Sequence, residues 1–360
     1  MTLMTAIKDA LALTRSQRLM EATQRIQESL SQGKQKPAHP SKPFGSPKYA
    51  SKAARPLGEV IQTLRNLKKT PLGKGVLKPS PIEPEIIDGA QFLNLSFSCD
   101  AGARNYKLYV PNHKPAGSRP LLIMLHGCKQ NPSDFAIGTG MNALAEAHGM
   151  LVAYPAQTQT YNPSGCWNWF NPGHQHRGIG EPAIIAGLTS QIIPNHDIDP
   201  RRVFVAGLSA GGAMAVVMGE TYPELFSAVG VHSGLPYKSA SDVVSAFAAM
   251  RGDLQTPASS GLMRTIVFHG DADTTVVPLN AREIINGKSF SSEHTHQGVS
   301  ESGRRYTRQI FEDQNGVPVV ENWLIQGAGH AWAGGNPQGS FTDEAGPDAS
   351  KEMLRFFLNR

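Results

Sequence analysis

No stretch of this chain approaches 18 consecutive apolar residues, which excludes a membrane-spanning helix. Cysteine is scarce. Cys99, Cys128 and Cys166 are the whole supply among 360 residues, too few for a disulfide framework and wrongly spaced for a zinc site. Acidic side chains are nearly missing between residues 34 and 79, where eleven Lys and Arg stand against Glu59 alone. That segment carries +10 of a chain total of +5; residues 1–33 carry +1, which leaves −6 for residues 80–360. The alkaline balance therefore belongs to one segment, and a nucleic-acid-binding body is disfavoured. A continuous apolar signal-peptide core is also lacking, because Lys8, Asp9, Arg15 and Arg18 interrupt it. The expected location is cytoplasmic, with export by a route that needs no visible signal peptide as the alternative. What is present, 40% hydrophobic residues with 36 Gly and 26 Pro, is globular composition rich in turns.

Three segments follow from the pattern. Residues 1–33 place Leu3, Ile7, Leu11, Leu19, Ile26 and Leu30 at helical spacing and read as an amphipathic helix ending at Gly33. Residues 34–80, rich in Lys, Pro, Gly and Ser, read as an extended, self-repelling linker. Residues 81–360 read as one catalytic domain. It opens with an alternating hairpin, Leu93–Cys99 and Tyr106–Val110 about the turn Asp100-Ala101-Gly102. Apolar runs of strand length then alternate with helical segments. Strands are expected at Leu121–Leu125, Met150–Tyr154, Val203–Ala206, Ala228–Val231, Thr265–Phe268 and Asn322–Ile325; helices are expected near 139–148, 182–193, 211–221, 278–286 and 348–358. Continuous apolar strands separated by helices mean a mostly parallel sheet covered on both faces. Opening on an antiparallel hairpin, this is the order of an α/β-hydrolase fold.

The chemistry centres on Gly207-Leu208-Ser209-Ala210-Gly211, entered by the strand Val203–Ala206 and left by a helix. A sharp strand-to-helix turn demands small residues at 207 and 211 and holds the Ser209 hydroxyl out above the sheet edge. An alkoxide nucleophile needs a base, and the base needs an orienting carboxylate. Asp271 and Asp273, in the loop after Thr265–Phe268, compete for the second role. Asp273, further past the strand, is the expected partner, and Asp271 the turn cap. His330, in the glycine-rich loop after Asn322–Ile325, is the expected base. His126 and His269 are expected to make structural hydrogen bonds, and His232 comes too early in chain order for the base. The oxyanion donors are expected to be the backbone N–H groups of Ala210 and Cys128. No cofactor and no metal is called for: His174, His176, His294 and His296 read as solvated loop histidines without a third convergent ligand.

Leu125-His126-Gly127-Cys128, Tyr154-Pro155-Ala156-Gln157, Cys166-Trp167-Asn168-Trp169-Phe170, Gly207–Met214 and Gly329-His330-Ala331-Trp332 together resemble the polyhydroxybutyrate depolymerase family of esterases, across roughly residues 90–358. The resemblance implies hydrolysis of 3-hydroxybutyrate polyester or oligomers through an acyl-enzyme. It implies Ser209, Asp273 and His330 as the triad, with the Cys128 amide in the oxyanion hole. Feruloyl and acetylxylan esterases of the same superfamily are the alternative. Trp167, Trp332, Tyr154 and Gln157, all in or beside these motifs, are the candidate substrate-contacting residues. Cys128 and Cys166 are a candidate bridge bracing the oxyanion loop under oxidising conditions, and two thiols in a reducing cytosol. Residues 1–80 suit docking on a storage-granule surface. A granule-binding protein with little turnover is the rival of a different class, and the complete triad argues against it.

Overall fold

The computed structural model describes residues 82–253, 263–286 and 290–359. The expected helix at 1–33 and linker at 34–80 lie outside them. The chain opens with β1 (Gln91–Cys99) paired antiparallel to β2 (Gly102–Val110), Cys99 facing Gly102 across the turn. Then come β3 (Arg119–Leu125), β4 (Leu151–Pro155), β5 (Ile198–Leu208), β6 (Ala228–His232), β7 (Thr265–Gly270), β8 (Ser292–Val299), β9 (Arg305–Glu312) and β10 (Pro318–Ile325). They form a ten-stranded sheet in the order β1-β2-β4-β3-β5-β6-β7-β10-β9-β8. The centre, from β4 to β10, is parallel, and antiparallel strands extend it at both ends. This is the α/β-hydrolase arrangement.

Period-two alternation divides the central strands between two cores. Leu121, Ile123, Leu125, Val203 and Val205 face one layer of helices, α3 (Gly180–Asn195), α4 (Ala210–Thr221) and α6 (Leu279–Ile285), through Leu188, Met214 and Ile284. Leu122, Met124, Phe204 and Ala206 face the other, α1 (Pro132–Thr139), α2 (Met141–His148) and α7 (Ala349–Leu358), through Phe135, Met141 and Phe357. Every residue of β3, β4, β6 and β7 is buried, as strands covered on both faces must be.

The helix expected near 139–148 is α2; α1, which the sequence did not announce, precedes it and is capped by Gly140 at a φ of 61°. One local expectation needs correction. The polar stretch around His294 and His296 is not a loop. It is β8, paired antiparallel along β9, and His294 Nε2 lies 3.4 Å from Glu312. Part of the segment 234–262, with no decisive pattern of its own, forms α5 (Val243–Met250) behind a capping box of Asp242 and Ser245. A short parallel pair, β11 (Trp332–Ala333) with β12 (Thr342–Asp343), follows β10.

Candidate active site

The parallel strands finish in register. Leu208 of β5 lies beside His232 of β6, His232 beside Phe268 of β7, and Phe268 beside Trp323 of β10. Loops leaving these four strands therefore emerge along one edge of the sheet, the usual place for a site in an open α/β sheet. Ser209, one residue beyond β5, occupies the left-handed half of backbone space at φ 58° and ψ −119°. Such a conformation costs on the order of 1–3 kcal/mol in a non-glycine residue and persists only where the surroundings enforce it. They do so here. The Ser209 N–H donates to the His232 carbonyl at 2.8 Å, and the Ala213 N–H donates back to the Ser209 carbonyl at 2.9 Å. A Cβ on Gly211 would strike the Leu125 carbonyl oxygen, and one on Gly207 would strike the Gly211 backbone. Ser209 is the only residue between 203 and 219 that is not buried.

The loops after β7 and β10 are stitched together. The Asp271 and Ala272 N–H groups donate to the carbonyls of Ile325 and Ala328, each at 3.0 Å, and the Gly327 N–H donates to Asp271 Oδ1 at 2.6 Å. Asp271 thus fastens the two loops to each other. Asp273 meets it: Oδ2 is 2.7 Å from His330 Nδ1, while Oδ1 accepts from the Thr275 and Val276 N–H groups at 2.9 Å. Burial opposes the charge on Asp273, but bonds from His269, His330 and the Val276 amide outweigh it and hold the carboxyl well below the usual carboxylate range. An ionised Asp273 requires His330 to donate from Nδ1, which leaves the Nε2 lone pair as the free base.

His232 ties the two halves of the site together. Its carbonyl holds the Ser209 N–H, and its Nε2 accepts the Ala333 N–H at 3.0 Å, three residues beyond His330. Its ring stacks between Phe268 and Trp332. Chain order alone discounted His232 as a base and gave no sign of this bridging role. His269 Nε2 donates to the Val276 carbonyl at 2.7 Å and lies 3.5 Å from Asp273 Oδ2.

The loop after β3 runs beside the serine turn: a Cβ on Gly127 would sit 3.5 Å from the Leu208 carbonyl oxygen. The loop is held from several sides. The Gly127 N–H donates to Gln130 Oε1 at 2.9 Å, the Lys129 N–H to the Ser164 carbonyl at 3.0 Å, and Trp167 Nε1 to the His126 carbonyl at 3.1 Å. Cys128 and Cys166 are joined by a disulfide, with Cα atoms 4.3 Å apart. Among the described residues the Cys128 N–H has no acceptor. Ala210, the first residue of α4, has none within its helix either, so both are available donors.

The four residues expected to touch substrate do not reach solvent. Tyr154, Trp167 and Trp332 are at most 1% exposed and Gln157 is 3% exposed. Tyr154 donates its hydroxyl to Asn142 at 2.8 Å, and Trp332 donates Nε1 to Ser350 at 3.0 Å. Gln157 receives from Arg104 Nε and gives to the buried Glu181 carboxylate and the Cys166 carbonyl. Their neighbourhood in sequence to the motifs reflects support of the loops from beneath. Glu181, which sequence reasoning did not single out, accepts from Arg104, Gln157 and both the backbone and side chain of Asn168, and so fixes the loop that carries Cys166. Its position inside an apolar helix run was the available signal. His174 Nδ1 accepts the Glu181 N–H at 3.0 Å.

A family model described as esterase PHB depolymerase matches residues 104–288. The chain is 33% identical to poly(3-hydroxyalkanoate) depolymerase C of Paucimonas lemoignei over 285 residues, 74% of this chain and 68% of that one. It belongs to the PHB depolymerase family of esterases. A poly(3-hydroxybutyrate) depolymerase of Ralstonia pickettii is 28% identical over 61% of this chain, which spans 49% of that relative's length. A feruloyl esterase B of Neurospora crassa is 28% identical over 69% of this chain and 86% of its own. The fold matches an acetyl xylan esterase from Aspergillus awamori with a TM-score of 0.57 at 23% identity, over 74% of this chain and 98% of that one. The family member described here is a hydrolase of carboxylic esters.

Proposed function

We propose that this esterase cleaves the ester bonds of 3-hydroxybutyrate polymer or its oligomers through an acyl-enzyme on Ser209. His330 Nε2 takes the Ser209 proton as Oγ attacks the ester carbonyl carbon, and the N–H groups of Cys128 and Ala210 receive the oxyanion. Collapse of the tetrahedral adduct expels the alcohol, which His330 protonates. Water, deprotonated by His330, then releases the acid and restores the serine. Asp273 stays ionised throughout and keeps the imidazole in the tautomer that leaves Nε2 free. The observation that carries this reading is the 2.7 Å bond between Asp273 and His330 at the strand edge where Ser209 is held in its strained turn. The substrate is argued from the two depolymerase relatives. The feruloyl esterase relative, of which the chain covers 86%, supports cell-wall acyl esters as the second reading.

Ser209→Ala is expected to abolish hydrolysis of p-nitrophenyl butyrate while leaving circular dichroism and the melting transition in place; retained turnover refutes the assignment. Incubation with amorphous polyhydroxybutyrate beside feruloyl and acetylxylan esters distinguishes the substrates by their products. Residues 1–80 are proposed to hold the enzyme on a storage-granule surface, on the strength of their amphipathic and basic sequence. A granule-bound protein in a reducing cytosol would carry thiols at 128 and 166, and an exported one the bridge.

A further inference from the structure

Beside the two stitched loops lies a cavity of about 490 Å³ with no part in the chemistry above. Asp271 and Gln326, the first residues past β7 and β10, form its inner wall; Gln297, Val299, Arg305 and Leu324 form its floor. Register puts the floor on one face of the antiparallel extension: Val299 faces Arg305, while Gln297 and Leu324 both face Thr307. We infer that this cavity is a remote subsite for a neutral oligoester, binding hydroxyacyl repeats several units away from the bond cut at Ser209. The inference rests on the polyester reading above and extends it.

The chemistry of the walls selects the occupant. The neighbouring arginines are committed, Arg304 to Asp343 at 2.9 Å and Arg308 to Glu321 at 2.8 Å. Arg305 forms no ion pair among the described residues, nor are the Gln297 and Gln326 carboxamides engaged. The wall is thus rich in idle donors. The interior of a polyester chain is uncharged and offers a carbonyl acceptor in every repeat, and its hydroxyl end brings the one donor, for which the Asp271 carboxylate is the matching acceptor. That same carboxylate disfavours an anion. Val299 and Leu324, 61% and 38% exposed, supply apolar contact for the branch methyl of each repeat. An aromatic acyl group or a sugar ring would want a stacking surface. The one aromatic residue in the wall, Tyr306, instead packs its ring on Trp323, at 4.9 Å between centroids, in the core.

Distance sets the number of repeats. From β5, which carries Ser209, to β9, which carries Arg305, is four strand steps, about 19 Å at the usual strand separation. A 3-hydroxybutyrate repeat adds four backbone bonds, about 5 Å when extended at ordinary bond lengths. A dimer cannot reach from one place to the other, and a pentamer can.

The test is kcat/KM on the methyl esters of 3-hydroxybutyrate dimer through pentamer, whose capped acid end keeps the probe neutral, beside p-nitrophenyl butyrate, for the full chain and for Arg305→Leu. The pentamer is expected to be used about tenfold better than the dimer by the full chain, and about equally with it by Arg305→Leu. The dimer serves as each protein's own control for folding. Equal use of dimer and pentamer by the full chain overturns the subsite and leaves the polyester reading standing, and a ratio that survives Arg305→Leu places the gain elsewhere. Cleavage of p-nitrophenyl butyrate with no cleavage of any oligomer overturns the polyester reading and this inference with it.

Discussion

At the scale of single residues, two histidines that are not the proposed base decide how the protein responds to pH. His126 and His232 are fully enclosed, and each uses one ring nitrogen as an acceptor, for the N–H of Gln157 and of Ala333 respectively. Burial lowers His126 to about 4, only partly offset by its bond to the Gly127 carbonyl. Burial, helped by His269 and His330, lowers His232 to about 3. Both values lie below those of the unfolded chain, so the unfolded state binds the extra protons. Stability is then full above about pH 6.5 and falls as pH drops toward the folded values, by on the order of 1 kcal/mol per pH unit for each ring. Melting temperatures measured between pH 7 and pH 4 should decline steadily and reversibly across that window. The carboxylates separate equally well. Asp273→Asn should lower kcat by about 10³–10⁴, because a neutral amide no longer holds His330 in the required tautomer. Asp271→Asn keeps an oxygen for the Gly327 N–H and should stay within a few-fold of the parent. Steady-state kinetics of the two variants check this directly.

Strands covered on both faces announce themselves, because they must be apolar throughout; elements defined by a neighbour do not. Leu121–Leu125, Thr265–Phe268 and the serine turn were legible for the first reason, and the loops carrying Asp273 and His330 followed from their strand ends. The first half of α1–α2 was not, since Pro132, Ser133, Phe135, Ala136 and Ile137 are all buried and leave no polar stripe to mark a helix. Strand β8 was hidden for the opposite reason: it is mostly exposed and exists through its ladder with β9. Tyr154, Trp167 and Trp332 were placed at the cleft because they flank the motifs, whereas side-chain direction, which spacing does not reveal, turns them inward. The loop after β3 shows how such buried residues share one task. In the bridged form, Cys166→Ser should destabilise the protein by about 4 kcal/mol, from the loop entropy released to the unfolded chain. Trp167 and Ser164 still hold the loop in that variant, so esterase activity should fall only a few-fold. Denaturation and kinetics on the same preparation test both halves.

For the whole molecule, the dominant asymmetry is electrical. A segment carrying +10 precedes a body carrying −6. Removing residues 1–80 should leave kcat/KM on soluble esters within about twofold, because every residue of the site lies beyond them. Attachment to native granules should weaken, and more so at low ionic strength, where charge attraction reaches furthest. Co-sedimentation with granules across a salt series measures this. Equal sedimentation of both forms would remove residues 1–80 from the docking proposal.

The sheet also ends in a particular way. Its last strand, β8, has a side that pairs with no other strand among the described residues, the feature by which one copy of a protein can recruit another into a growing ribbon. Here that rim carries Glu293, His294 and His296, all exposed. A second copy zipping onto it would have to strip water from all three, which disfavours edge-to-edge fusion of neighbouring copies.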